Sequence, residues 1–302
     1  MNSLHSDLIT EKQNPNSMDI DKLSTLEILE LINKEDSLIP SAVQKVIPEI
    51  EKVVEFAVSA LKNGNRIIYI GAGTSGRLGI LDASEIPPTF SPPREWFTGV
   101  IAGGSEAVFR SIESAEDIPD DAIADLDAIG IKRRDVLIGI ASSSTTPYVL
   151  AGLKYGKQIG CKTVFLICNP VPMKSYNFDV IISVDVGPEI ITGSTRMKAG
   201  TATKLILNMI STTIMVKMGK VYGNLMVDLQ VVNEKLRDRG TRIIEKLTNL
   251  NYKEAGKVLK NSGGSVKTAL IMVNKSCSKT EAEKLIYKFE GNLRQIIGDI
   301  SI

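Results

Sequence analysis

Residues 66–90, RIIYIGAGTSGRLGILDASEIPPTF, constrain the fold of this chain more than any other stretch. Arg66 to Ile70 is a short run of β-branched and aromatic side chains stopped by Gly71. A short, unbroken run of that kind predicts a buried parallel strand rather than a helix. Gly71, Gly73 and Gly76 then allow a tight turn, and Thr74 and Ser75 bring hydroxyls to the start of the helical pattern that follows. Unpaired amides, the positive end of a helix dipole and short hydroxyls together make an anion site. The glycines also satisfy G-x-G-x-x-G, so three readings stand: a tight turn with no ligand, a dinucleotide site, or a site for a smaller phosphorylated molecule. A dinucleotide site needs an acidic residue at the end of the next strand to hold a ribose hydroxyl. The next strand-like run, Trp96 to Ile101, ends instead in Ala102-Gly103-Gly104. A P-loop needs Gly-Lys-Ser/Thr, and here Gly76 is followed by Arg77. The spacing favours the smaller phosphorylated ligand.

The rest of the chain supplies more strands of the same kind. Trp96–Ile101, Asp135–Ala141, Lys162–Cys168 and Asp179–Val186 are apolar runs, and helical patterns alternate with them, including Ser105–Ser114 and a segment ending near Ile159. The stretch from Glu116 to Asp121 reads as an acidic turn, and NPVPMKSYNF as the link between the last two strands. Such alternation implies right-handed crossovers and an α/β, doubly wound, Rossmann-like parallel sheet with helices on both faces. Before the sheet, a polar arm up to about Asp21 contains Asn14-Pro15-Asn16 and is expected to be ordered only by packing on something else. Ser24-Thr25-Leu26-Glu27 is a capping-box pattern, and Leu26, Leu29 and Ile32 or Leu31 form the apolar stripe of a helix ending near Lys34. A second pattern starts at Pro40, bends or restarts at Pro48 and ends at Gly64.

After the last strand, GPEIITGSTRMKAGTATK leads into a long, mostly apolar helix reaching Gly219. Its apolar residues wrap most of its circumference, as in a helix buried in the sheet domain or in a dimer interface. From Leu225 onward the patterns are helical only: Asp228–Leu247, Lys253–Lys260, Val266–Lys275 and Thr280–Ile297. These readings divide the chain into an N-terminal arm with helices (1–50), a sheet domain (51–225) and a small all-helical C-terminal domain (226–302).

Composition narrows the function. At 302 residues, with 36 basic and 35 acidic side chains, the net charge is +1, which leaves no footprint for nucleic acid or an anionic membrane and favours a small-molecule ligand. Neither an N-terminal leader pattern nor an uncharged apolar run of spanning length is present, so a cytoplasmic protein is expected. Cys161, Cys168 and Cys277 lack ligand or disulfide-framework spacing and are expected to be buried thiols. The single histidine, His5, lies in the polar arm, so proton transfer falls to carboxylates, Lys, Tyr or Cys, and no metal site is indicated.

Several residues are candidates for a site. The hydroxyl run Ser142, Ser143, Ser144, Thr145 and Thr146 follows the third strand and opens a helix. Ligands of parallel sheets sit beyond the carboxyl ends of strands, so this loop and the turn of Gly73, Thr74 and Ser75 should share one edge and could cradle one phosphate. Helix capping would account for one or two of those hydroxyls. Glu85 precedes Ile86-Pro87-Pro88, where the helix is expected to end. There the helix dipole and apolar neighbours would favour a neutral carboxyl able to act as a general acid, although a solvated carboxylate at a helix end fits equally. Glu116 sits among Glu113, Asp117, Asp120 and Asp121, a cluster that by itself reads as a solvated turn. Glu189 and Ser194, with Thr192 and Thr195, precede the long apolar helix in a glycine-bounded loop suited to a ligand, while Lys198 and Lys204 could serve only to counter charge along that helix.

Three blocks, GAGTSGRLGILDASEIPPTF, IAGGSEAVFRSIESAED and GPEIITGSTRMKAGTATK, resemble the signatures of the N-acetylmuramic acid 6-phosphate etherases, whose sheet domain is a sugar isomerase (SIS) domain. The resemblance runs from the TEKQNPNSMDIDKLSTLEIL arm into the helical tail. One position departs: Ile86 stands where the family has cysteine, at a place to which no chemical role is attached. The resemblance implies cleavage of the lactyl ether of N-acetylmuramic acid 6-phosphate by elimination and water addition, with no metal or organic cofactor, in a homodimer. Carried onto matching positions, the glutamates of DASE and SAED are Glu85 and Glu116. The open-chain aldehyde acidifies the proton on C2, so one carboxylate can remove it while another protonates the departing lactate oxygen. Glu85 is the choice for the acid, and Glu116 for the base or for positioning it.

Two other functions fit the same domain type. SIS domains also form sugar-phosphate sensors, including the glucokinase regulatory protein, but that regulator carries two such domains in a longer chain. An aldose–ketose isomerase would share the enolisation step and make no use of the etherase blocks.

Overall fold

The computed structural model describes residues 9–170, 176–229, 231 and 233–300. His5 and the middle of the NPVPMKSYNF link lie outside the described residues. Five strands form one parallel sheet: β1 (Ile67–Gly71), β2 (Phe97–Ile101), β3 (Val136–Ala141), β4 (Lys162–Ile167) and β5 (Val180–Ser183), in the order β2-β1-β3-β4-β5. The doubly wound α/β architecture expected from the alternating pattern is therefore present.

Every residue of β1 and β3 is buried, as their unbroken apolar runs require. Alternate side chains serve the two faces. Ile68, Ile70, Leu137 and Phe165 join a core with Leu126 of α5 (Pro119–Ala128) and with Tyr148, Val149 and Leu153 of α6 (Pro147–Ile159). On the other face, the Tyr69 hydroxyl donates to Asp82 of α4 (Gly73–Phe90) at 2.9 Å.

Ahead of the sheet lie α1 (Thr25–Asp36), α2 (Ile39–Gln44) and α3 (Ile47–Lys62). The capping box at Ser24 and Glu27 is formed. The proline of the third helix sits in its first turn, where a missing N–H costs nothing, so the chain restarts there. Among the described residues the stripe of α1 is left largely uncovered: Leu26 is 64% and Leu29 59% exposed.

Two elements differ from the sequence reading. Ser105–Ser114 is not a helix but a 3-10 turn, Ser105–Val108, followed by turns and irregular chain, with Gly103, Gly104 and Ser114 all at positive φ. The acidic stretch after it is not only a turn, because Pro119 opens α5 and Asp120 and Asp121 occupy its first turn, where carboxylates favour the helix dipole.

By packing, the chain forms two compact units, Met1–Ser84 with Arg94–Ser211, and Glu85–Pro93 with Thr212–Ile302. The long helix α7 (Lys198–Lys217) carries the division. The second unit contains a small hairpin absent from the sequence reading, β6 (Val221–Tyr222) and β7 (Leu225–Met226), turning at Gly223 with φ +56°. Its helices are α8 (Glu234–Leu247), α9 (Tyr252–Asn261), α10 (Val266–Lys275), α11 (Lys279–Lys288) and α12 (Leu293–Ile297), around a core of Tyr222, Ile244, Leu259, Leu270 and Leu293. The single helix expected over Thr280–Ile297 is broken by Glu290 and Gly291, both at positive φ. Cys161 and Cys168 are buried as expected, and Cys277 is only half-buried. Among the described residues no helix is long and apolar enough to cross a membrane.

Candidate sugar-phosphate site

The first turn closes because two glycines meet. A Cβ on Gly71 would lie 2.7 Å from the Gly76 amide nitrogen, and one on Gly76 would lie 2.6 Å from Ile101 Cγ1, so neither position has room for a side chain. Gly73, at φ +52°, begins α4 directly after this contact. The amides of a helix's first turn have no partner within the helix. Here they sit at the carboxyl end of β1, with the Ser75 side chain beside them at 7% residue exposure.

Arg77, one turn on, fixes the second block against the first. Its Nε donates to the Val108 carbonyl at 3.2 Å and its Nη2 to the Arg110 carbonyl at 3.0 Å. Between them lies a cavity of about 150 Å³ whose lining includes Gly73, Arg77, Glu113, Ser114 and Glu116. Glu116 is exposed on the short turn Ala115–Asp117, which is held by the buried methyl of Ala115 and entered through Ser114 at φ +60°. The structure thus brings Glu116 to the same cavity as the glycine turn at the start of α4, which an isolated solvated cluster would not require.

Ser142–Thr146 follows β3, the neighbour of β1, with Gly71 opposite Ile140 in the register. The hydroxyl loop and the Gly73–Ser75 turn therefore leave adjacent strands at one sheet edge. Thr146 is the N-cap of α6 but makes no side-chain capping bond. Its hydroxyl lies 3.4 Å from that of Ser143, which is also 3.2 Å from the Thr145 hydroxyl. Capping therefore does not account for this cluster, and the first-turn amides of α6 are left for another acceptor. Ser144 is 5% exposed, and its carbonyl accepts from the Tyr176 hydroxyl at 2.7 Å.

The third block reaches the same edge through α7. A Cβ on Gly200 would stand 3.6 Å from Thr74 Cγ2, so the first turn of α7 packs on the first block. Ser194 is half-buried in the loop before it.

Glu189 must be reassigned. It is fully buried, and its two carboxylate oxygens accept from the Lys198 and Ala199 amides, each at 2.9 Å. It caps α7 rather than facing a ligand. Burial pushes its carboxyl above the usual range, against the opposing effect of those two amide bonds. Lys198 is likewise buried and paired with Glu35 at 2.8 Å.

Glu85 also differs from its expected setting. Pro87 and Pro88 do not end α4, which runs on to Phe90, so the Glu85 carboxyl is not at the helix terminus and is exposed. The turn is kept by other bonds: the Thr89 hydroxyl donates to the Glu85 carbonyl at 2.8 Å and the Ser91 amide to that of Pro87 at 2.9 Å. Glu85 belongs to the second compact unit. Sequence reasoning gave Arg77, Thr10 and Asn169 no structural role, because their partners are remote in sequence. Among the described residues, no group of three or more His, Cys, Asp or Glu side chains is placed to hold a metal.

The carboxyl edge of the parallel sheet thus gathers helix starts, hydroxyls and one carboxylate. Residues 49–157 match the family described as the glucokinase regulatory protein N-terminal SIS domain. The chain is 48% identical to an N-acetylmuramic acid 6-phosphate etherase of Actinobacillus pleuropneumoniae serotype 5b, over 97% of this chain and 96% of that one. It is 49% identical to N-acetylmuramic acid 6-phosphate etherase 1 of Bacillus licheniformis, over 98% and 97% of the two chains. The etherase of Caldanaerobacter subterraneus subsp. tengcongensis is 49% identical over 96% and 95%. The chain belongs to the N-acetylmuramic acid 6-phosphate etherase family. Among solved structures, a phosphoheptose isomerase from Francisella tularensis is similar at a TM-score of 0.47 and 16% identity, over 65% of this chain and all of that one.

Proposed function

We propose that this chain cleaves the D-lactyl ether of N-acetylmuramic acid 6-phosphate, giving N-acetylglucosamine 6-phosphate and D-lactate. The observation that carries this reading is near full-length identity of 48% to an etherase. Support from the site is the placement of Glu116 on one cavity with the first-turn amides of α4.

In the open-chain sugar the C1 aldehyde acidifies the C2 proton. Glu116 removes that proton, or positions the group that does, and the electron pair forms the C2–C3 double bond as the C3–oxygen bond breaks. Glu85 gives its proton to the departing lactate oxygen. Water then adds at C3, with Glu85 taking its proton, and a proton returns to C2. Ser75, Ser142, Ser143, Ser144 and Thr146, with the amides of Gly73 and Thr74, hold the phosphate. Ser194 borders the same edge. The reaction serves recovery of cell-wall sugar in the cytoplasm. The enzyme works as a homodimer, a reading supported by the uncovered Leu26 and Leu29 of α1.

The test is lactate release from N-acetylmuramic acid 6-phosphate, with hexose 6-phosphates as controls, followed by two variants in deuterated water. Glu85→Gln should keep C2 exchange while lactate release falls by roughly 10² to 10⁴, the usual worth of general acid catalysis. Glu116→Gln should slow the exchange itself. Near-parent lactate release by Glu85→Gln would remove the acid assignment, and lost exchange there with retained exchange in Glu116→Gln would reverse the two roles.

A further inference from the structure

We propose that Thr10 and Asn169 are positioning residues that tie together two loops of the sugar-phosphate site, the hydroxyl loop after β3 and the loop preceding α7. The inference rests on reading that sheet edge as the phosphate site. Asn169 follows β4 and is 1% exposed. Its Nδ2 donates to the Ser142 carbonyl at 2.7 Å and to the Thr10 hydroxyl at 3.1 Å, and its Oδ1 accepts from the Thr10 amide at 3.3 Å. Thr10, also 1% exposed, accepts at its own carbonyl from the Gly193 amide at 3.1 Å. One residue of the N-terminal arm is therefore bonded on one side to Asn169, which holds the Ser142 carbonyl, and on the other to the loop that carries Ser194.

Neighbouring contacts extend the tie. Asn14 Nδ2 donates to the Pro188 carbonyl at 3.3 Å and the Ser17 hydroxyl to that of Ile190 at 2.7 Å. A Cβ on Gly193 would meet the Glu11 carboxylate at 3.1 Å, so the arm runs close along residues 188–193. Filling this space with apolar side chains would avoid the cost of burying polar groups. Hydrogen bonds at these positions instead fix the loops in direction as well as in distance. A phosphate contact is much the same in ground and transition states, so loosening the loops should weaken binding without slowing the chemical step.

Thr10→Val removes the hydroxyl and keeps the backbone bonds, and Thr10→Ser restores it. Asn169→Asp removes both donated bonds and sets a carboxylate against the Ser142 carbonyl. For Thr10→Val, KM should rise roughly 3- to 10-fold with kcat within about twofold, as expected for one lost hydrogen bond. The inhibition constant of inorganic phosphate should rise in parallel. Thr10→Ser should lie near the parent, and Asn169→Asp should raise KM by at least about tenfold. Unchanged KM and phosphate inhibition in folded Thr10→Val, or a fall in kcat alone, would overturn the proposal even if Asn169→Asp fails to fold. Calorimetric titration with inorganic phosphate and N-acetylglucosamine 6-phosphate separates this proposal from the proposed reaction. A parent that binds but releases no lactate, with weaker binding in Thr10→Val, ends the reaction and keeps the tie. Equal binding by parent and Thr10→Val ends the tie alone.

Discussion

Two lysines are sealed from water to the same degree, Lys198 in the sheet unit and Lys267 in the helical unit, and they differ in which partner dominates. Lys198 opens α7, so its ammonium lies at the positive end of a helix, where a cation is disfavoured. Carboxylates offset this. Glu35 accepts from Lys198 Nζ at 2.8 Å, beside a single backbone acceptor, the Pro188 carbonyl at 3.1 Å, and is itself closed in by Asn14 and Asn16, while Glu189 caps the helix amides. Lys267 Nζ donates at 2.9 Å to the carbonyls of Gly219 and Gly291, just past the ends of α7 and α11, and to Asp228 at 2.9 Å. Helix C-termini favour a cation, and Asp228 keeps contact with water and with Lys220 at 2.7 Å. A buried ion pair closed on both sides depends on both members, whereas an ammonium held by carbonyls depends much less on its counterion.

The largest effect should come from breaking the closed pair. Glu35→Gln leaves an unpaired cation at a helix N-terminus, and removing one member of a buried pair costs about 3–5 kcal/mol. The only tryptophan, Trp96, lies in the sheet unit, so its fluorescence reports the loss as a lower urea midpoint. Glu35→Leu combined with Lys198→Met should regain most of that stability. A Glu35→Gln cost no larger than that of Lys267→Met would break the contrast.

Lys267→Met should cost less, about 1–3 kcal/mol, because it leaves two carbonyls without their donor while Asp228 retains Lys220. Segment-resolved hydrogen exchange should show faster exchange in α10. Protection unchanged there would mean that water replaces the ammonium without loss.

How far this was readable in the sequence follows from how local each cause is. The runs around β1 and β3 were legible because burial on both faces demands apolar residues at every position. The Ser24 capping box was legible for the same local reason. The hydroxyl loop and the glycine turn could be assigned to one edge because each directly follows a strand. The extent of α4 was not legible. Consecutive prolines ordinarily stop a helix, but the carbonyls they leave unpaired are those of Ala83 and Ser84, near its end, and Ser84 is exposed to water. The second block was misjudged because its shape is set by Arg77, whose partners lie 31 and 33 residues away. Glu189 looked available for a ligand because nothing local shows that Lys198 and Ala199 turn back onto it. Asn169 and Thr10, 159 residues apart, gave no signal at all.

The smallest expected effect is on pH dependence, and it separates the two lysine sites by sign. Burial would raise the Glu35 carboxyl, but its bonds to Lys198, Asn16 and Asn14 outweigh this and hold it below the ordinary 4.5. A carboxyl lowered by folding contributes stability that is present above its unfolded value and lost as pH falls through the folded one. Parent and Glu35→Gln should therefore converge in sheet-unit stability as the medium is acidified below about 4.5. Lys267 is shifted by burial below its ordinary 10.5, against the pull of Asp228. A lysine lowered by folding loses its proton earlier in the folded state, so its unfavourable share is present at neutral pH and is relieved as pH rises toward 10.5. Relative to Lys267→Met, the helical unit of the parent should gain stability on the alkaline side. Hydrogen exchange in α10, corrected for the intrinsic rate at each pH, reads that difference. A parent that instead loses stability relative to Lys267→Met would mean that the pull of Asp228 outweighs burial, and that the two lysines are held in the same way after all.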